Sequence, residues 1–405
     1  MKNRHLFLLL IALIAAGCKS SGPSRSTNET SYDFEISPLH PDLLFYHVSD
    51  DSTKLYLQVY TDELLFTRQS PDAPFTSNLS IDLFFTSTKD TVQFGQTIVA
   101  EEDLRKVMIT QVIPFKKQPK TQCIVRIRDE NRKWEERIDV VIEKTDSPTR
   151  QDFLLMRVGS KNPFFGYNIA QGSAVDIQSA RFPCVLNINH WTPDIHLPPP
   201  PYSEAKITLP DEKEFDGKLL VGNTQNIESG IYSVYCDSSF VFSIFGRESA
   251  YPRIKTVAGM VNSLRYISSR KEYERIQGSN YPKVGLDEFW IDCGGSKDKA
   301  RSLIKNYYRR VVEANRSFSS YAEGWKTDRG LVHVVFGNPN KIKKSADTET
   351  WIYGEENNVS SVSFTFAKIS TKHSDNEFRL IRNPLYRSYW DRAVTAWRNG
   401  RVFLD

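Results

Sequence analysis

A chain of 405 residues is too long for one hydrophobic core, and with 40% apolar side chains it is too apolar to be disordered throughout. Its 53 basic and 49 acidic residues leave a formal charge of +4, which gives no support for a chain-wide nucleic-acid-binding role. Five cysteines exclude a disulfide-dense scaffold, and 12% aromatics against 4 methionines favour sheets packed by aromatic rings over helical bundles.

The chain opens with Met1-Lys2-Asn3-Arg4, an apolar run from Leu6 to Ala16, and Gly17-Cys18. This is the order of a secretory signal, and the run falls short of the ~20 residues a bilayer span takes. Ala15-Ala16-Gly17-Cys18 resembles a bacterial lipobox, with Ala15 where that pattern prefers Leu. The resemblance implies cleavage before Cys18 and its acylation, and several acyl chains on one residue anchor stably. Residues 1–17 are expected to be the signal peptide and 18–31 a flexible tether, since 19–31 carry almost no apolar side chain. Cys123, Cys184, Cys236 and Cys293 remain; three pairings are open, sequence selects none, and the simplest expectation is four buried small hydrophobes.

Residues 32–147 read as a β-sandwich-like domain. Leu55–Tyr60, Leu79–Phe85 with Ile81, Leu83 and Phe85 alternating, Thr121–Arg128 and Trp134–Ile142 have strand patterns, with a hairpin turn at Asp129–Arg132. Glu101–Val107 is the one short helical candidate. After the turn cluster at 145–149, residues 148–249 read as a second such domain, with strands at Phe153–Val158, Ala174–Ile177, Cys184–Ile188, Lys218–Val221, Ile231–Cys236 and Phe240–Phe245. Pro198–Pro201 predict a stiff polyproline crossover. Glu228 to Val234 resembles an immunoglobulin-type tyrosine corner, in which Tyr232 bonds back to the preceding turn.

From 250 the period becomes helical. Val257, Met260, Val261, Leu264 and Ile267 share a face; Tyr273 and Ile276 continue in a second helix, and Asp287–Ile291 predicts a short third. The clearest helix has Ser296 as its N-cap, Ala300, Leu303, Ile304, Tyr307, Tyr308, Val311 and Val312 on one face, and its end at Phe318. Strands are expected at Leu331–Phe336, Thr350–Tyr353, Val359–Phe366 and Phe378–Ile381, and a last helix at Pro384–Trp397. Helices followed by an antiparallel sheet predict an α+β domain over 250–405.

Between the long helix and the first of those strands lies Gly324-Trp325-Lys326-Thr327-Asp328-Arg329-Gly330. With Asn306-Tyr307-Tyr308-Arg309-Arg310 upstream and Phe336-Gly337-Asn338-Pro339 and Trp351-Ile352-Tyr353 downstream, this segment resembles the GWxTD-domain family of bacterial envelope proteins, best known in Bacteroidota. The resemblance covers roughly 250–405 and implies a compartment but no reaction. Physically, Gly324 and Gly330 allow backbone angles other residues avoid, and the Trp325 ring nitrogen needs an acceptor. Thr327 and Asp328 suit a turn, and Arg329 suits a pair with Asp328, Glu323 or an external carboxylate. The segment reads either as a locked helix-to-strand corner or as a recognition surface around Trp325, Asp328 and Arg329.

No catalytic residue, metal ligand or cofactor is expected: GxSxG, HExxH, CxxC and P-loop patterns are absent, and His190, Asp194 and His196 lack the spacing of a zinc site. Residues 290–405 carry 20 basic and 13 acidic residues, a basic bias hidden in the total. The expected protein is a non-catalytic, lipid-anchored scaffold or partner-binding component of the cell envelope, at the outer membrane and facing the periplasm, since no acidic run follows Cys18. It would meet the membrane through acylated Cys18 and an envelope protein through the C-terminal domain. The alternative is a glycan- or peptidoglycan-binding or glycan-active protein, which requires a cleft holding two carboxylates roughly 5–10 Å apart when active.

Overall fold

The structure, a computed structural model, describes residues 28–29, 39–205, 209–214, 217–221, 223–345, 347–355 and 361–403. The expected signal peptide, Cys18 and most of the expected tether lie outside the described residues. Asn28–Glu29, assigned to the tether from sequence, instead pair with Lys344 and Lys343 at the edge of the C-terminal sheet.

The chain is multidomain, strand-rich in front and helical mainly behind. Strands Asp42–His47, Ser52–Tyr60 and Lys106–Pro114 form one antiparallel sheet; Thr91–Val99, Thr76–Phe85, Gln118–Asp129 and Trp134–Lys144 form a second. Alternation explains the strands read correctly: Leu79, Ile81, Leu83 and Phe85 point inward and share one core with Leu55, Leu57, Val125 and Ile127. The helical reading of Glu101–Val107 is corrected, because 106–114 pairs along the full length of 52–60. Thr91–Val99 went unread because it buries only Ile98.

Strands 154–247 build two further sheets. Asn168–Ala170, Ser239–Arg247, Gly230–Cys236, Leu186–Trp191 and Lys218–Val221 lie in that order in one; Thr224–Asn226, Ala174–Gln178 and Leu154–Arg157 form the other. Pairing is antiparallel except between 168–170 and 239–247. The Tyr232 hydroxyl accepts from Glu228 N (2.6 Å), the back-bond read from the sequence. Cys184 and Cys236 form a disulfide with Cα atoms 6.0 Å apart, while Cys123 and Cys293 are buried and free. The expectation of four unpaired cysteines is corrected: distant residues meet where Leu186 pairs with Cys236. Arg181 joins the two β units, donating to Asp152 (2.6 Å), Asp50 (3.0 Å) and the Thr145 carbonyl (2.8 Å).

Among the described residues the C-terminal part contains six α-helices: α1 (Val257–Ser263), α2 (Arg270–Gln277), α3 (Pro282–Gly294), α4 (Lys297–Phe318), α5 (Asp328–Phe336) and α6 (Tyr386–Arg398). They pack with the sheet Lys341–Lys344, Thr348–Tyr353, Val362–Lys368 and Phe378–Leu380 around a core containing Trp290, Tyr307, Trp325, Trp351 and Trp397. Helix α4 starts and ends where the periodicity placed it, with Ser296 as cap. Helix α3 is longer than expected: Pro282 opens it, which suits a position needing no backbone donor, and Gly295 at φ 68° closes it.

The expected strand Leu331–Phe336 is helix α5. Every residue of this helix is buried, so no polar face marks a helical period and its Val-rich run imitates a buried strand. No helix among the described residues is long and apolar enough to cross a membrane.

Candidate functional site

The corner between α4 and α5 is built by close backbone approach. Gly324-Trp325-Lys326 make one 3-10 turn, and Thr327 then caps α5, its hydroxyl accepting from Gly330 N (3.1 Å) and donating to Gly324 O (2.7 Å). A Cβ on Gly324 would lie 1.8 Å from Ala314 O, and one on Gly330 would lie 1.8 Å from Gly324 O. The two glycines are therefore required by contact; neither has a positive φ, which corrects the reading from backbone freedom.

Trp325 is buried, and its ring nitrogen donates to Glu323 Oε2 (2.8 Å). Its backbone N–H meets Asn315 Oδ1 (3.2 Å), and its carbonyl accepts from the Tyr266 hydroxyl (2.8 Å). Arg329 is also buried. The sequence offered Asp328, Glu323 or an external carboxylate as its partner; it pairs instead with Glu349 (3.3 Å) and the Asn376 carbonyl (2.9 Å), lying over the Phe378 ring at 4.1 Å. Its preferred partners lie far along the chain. Trp325 and Arg329 are thus interior residues that hold the corner.

Asp328 differs, because it is buried yet lines a cleft. Its Oδ2 accepts from Leu380 N (2.9 Å), and its Oδ1 pairs with Arg382. Burial pushes the Asp328 carboxyl above its usual range, and the Arg382 guanidinium and the Leu380 N–H oppose that shift. Arg382 also donates to Pro199 O (2.7 Å) and Pro200 O (2.8 Å). The proline crossover is thereby clamped onto the corner.

The cleft has a volume of about 400 Å³. Asp194 to Pro199, Ala205, Leu209 and Pro210 form one wall; Tyr321, Ala322, Lys326 to Asp328, Glu377 and Arg379 form the other. Glu377 is buried, accepts from the Ser320 hydroxyl and lies 2.7 Å from Arg379 Nε. Burial raises its carboxyl too, opposed chiefly by Arg379. None of Glu377, Arg379 and Arg382 is among the candidate site residues expected from the sequence. For Glu377 and Arg379 the signal was the alternation Glu377-Phe378-Arg379-Leu380, which sends both charges to the face opposite the core residue Leu380; Arg382 lies beyond that strand and has no such signal.

Beside the cleft, Ser243 Oγ meets His373 Nδ1 (2.7 Å), and His373 Nε2 lies 3.6 Å from Glu212. The residue types suggest a nucleophile relay, but Ser243 is 1% and His373 3% exposed, so no substrate reaches the hydroxyl. The network ties the segment around Glu212 to the loop carrying His373. Of the other histidines, His190 stacks on Tyr232 (4.3 Å), and His196 sits exposed at the cleft near Asp194 (3.6 Å). Among the described residues, no group of three or more His, Cys, Asp or Glu side chains is placed to hold a metal ion.

The corner, the clamp and the cleft all fall within or against the stretch 230–399, which matches the family model of the GWxTD domain. The chain carries a GWxTD domain behind strand-rich units, and the match begins at Gly230, inside the second β unit as bounded from sequence. None of the curated proteins compared matches the chain.

Proposed function

We propose that this chain is a lipid-anchored, partner-binding component of a cell envelope, held to the membrane through acylated Cys18 and engaging an envelope protein through its GWxTD domain. The observation that supports this reading is the cleft in which Lys326, Thr327 and Asp328 of the motif face the proline crossover. Binding sites favour concave surfaces between structural units, and this cleft lies between the proline crossover and the motif corner with apolar and polar lining in similar measure. On this reading the strand-rich units, immunoglobulin-like sandwiches in the finer assignment, act as spacers that carry the domain into the periplasm from the outer membrane. The test places a photo-crosslinking residue at the exposed position Ala205 in intact envelopes. A reproducible adduct with one envelope protein, lost when the crosslinker is moved to Lys89 on the front unit, is expected; identical adducts from both positions would overturn the reading.

A second reading, a glycan-binding or glycan-active protein, is favoured by one observation: two buried carboxylates with raised affinity for protons, Asp328 and Glu377, line a single cleft. It ranks second because the oxygens of both are already engaged by Arg382, Leu380 N, Ser320 and Arg379. Hydrolysis of cell-wall glycan by the purified chain, abolished in Glu377→Gln, would promote it.

A further inference from the structure

Arg379 is the cleft group with unused hydrogen-bonding capacity. Its strand sends Leu380 into the core and Arg379 to the opposite side, into the cleft. Among the described residues its ion-pair partner is Glu377, whose carboxylate lies 2.7 Å from Nε without hydrogen-bond alignment. Among the described residues, neither terminal nitrogen of Arg379 donates a hydrogen bond, so the planar fork is available for two parallel bonds to one carboxylate. Glu377 is itself fixed by Ser320, so the fork is oriented before any ligand arrives.

Unused hydrogen-bond donors, rather than a net positive charge, decide what the cleft can hold, because each of its cations has an acidic neighbour. Asp328 is spent on Arg382 and Leu380 N, and Glu377 on Ser320 and Arg379. Asp194 is at the rim, 77% exposed and beside His196, where water screens it. Lys326, 31% exposed and 3.3 Å from Glu323, adds a second cation on the same wall as Arg379. Opposite them stand apolar surfaces of Leu197, Pro198 and Pro199.

We infer that the cleft binds a carboxylate carried on an apolar stem, with Arg379 as the bidentate receiver, Lys326 as a supporting charge and the proline crossover as the apolar wall. A peptide's C-terminal residue has this chemistry, and so does an acidic side chain flanked by apolar residues. This inference rests on reading the cleft as a binding site, and it deepens that reading by naming the group bound.

The test titrates the purified full chain with three probes followed by ligand-observed NMR: N-acetyl-Leu-Leu with a free carboxylate, its C-terminal amide, and N-acetyl-Leu-Glu amide. The free-carboxylate dipeptide is expected to bind at least fivefold more tightly than its amide. Tighter binding of the Leu-Glu amide than of the Leu-Leu amide would assign an acidic side chain as an equal source of the group. Arg379→Gln should abolish the preference, Arg379→Lys should retain part of it as a point charge, and Lys326→Gln should reduce it less. If Arg379→Gln does not fold, the Arg379→Lys and Lys326→Gln comparison carries the result. Equal affinity for all three probes, no binding of any, a preference that survives Arg379→Gln, or one left undiminished in Arg379→Lys overturns the inference. The crosslinking experiment fails separately: an envelope partner captured through Ala205 without carboxylate preference leaves the partner reading standing and removes this one.

Discussion

Arg382 holds Asp328 with one terminal nitrogen and the carbonyl oxygens of Pro199 (2.7 Å) and Pro200 (2.8 Å) with the other. One guanidinium thereby joins the acid of the Gly-Trp-x-Thr-Asp corner to a crossover that lies 183 residues from Arg382 in sequence. The cleft wall depends on that joint, because no regular secondary structure supports the crossover there.

Breaking the clamp should therefore be costly and should show first in the crossover. Asp328→Ala leaves Arg382 buried without its carboxylate and Leu380 N without its acceptor, and should lower the unfolding free energy by about 3–5 kcal/mol. Denaturant titration measures the loss, and limited proteolysis should cut within 194–205 before the rest of the chain. A loss within the ~0.5 kcal/mol of an ordinary surface substitution would contradict the clamp.

The corner glycines should not tolerate a methyl group. Gly324→Ala and Gly330→Ala each force a Cβ into a backbone carbonyl, and each should destabilise by about 3 kcal/mol or more. Gly166→Ala, where nothing lies within 4 Å, serves as the control and should shift the melting temperature little. Equal melting temperatures for all three variants would show that the helices can separate at the corner without penalty.

Acid should loosen the contact between the Glu212 segment and the GWxTD domain through His373. Burial, assisted by Lys372 and opposed by Glu212 and Asp211, pushes the His373 imidazole down to about 4. Its folded value lies below its unfolded value of about 6.5, so the unfolded chain binds more protons between the two. The stabilisation is complete above pH ~6.5 and is lost as pH falls toward 4, up to roughly 3 kcal/mol. His47, likewise lowered to about 4 chiefly by burial, acts in the same direction, whereas Asp328 and Glu377, raised by burial, regain stability as acid protonates them. Stability measured from pH 7 to 4 should have a shallower slope in His373→Asn than in the parent chain; an unchanged slope would remove His373 from the account.

The Cys184–Cys236 bridge closes a sequence separation of 52 residues, for which loop entropy predicts a contribution of about 4 kcal/mol. The double variant Cys184→Ser, Cys236→Ser should lose stability of that order on thermal melting. Treating the parent chain with reductant should reproduce most of the loss, while Cys123→Ser should not respond to reductant differently from the parent.

Patterns that repeat within a few residues were legible without coordinates. The face of α4, its Ser296 cap and its end at Phe318, the inward alternation of Leu79 to Phe85 and the Tyr232 back-bond all follow from neighbours close in the chain. The residues of the candidate site were legible only in part: the motif drew attention to Trp325, Asp328 and Arg329, but not to Glu377, Arg379 or Arg382. Tertiary structure decided the rest. Burial on every side removed the polar face that would have marked α5 as a helix, so only its packing distinguishes it from a strand. The glycines of the corner are selected by carbonyls of other turns, Arg329 by Glu349 and Asn376, and Asp328 by an arginine 54 residues on. Each of these choices is a contact between segments far apart in sequence, and local propensity carries no record of which segments will meet.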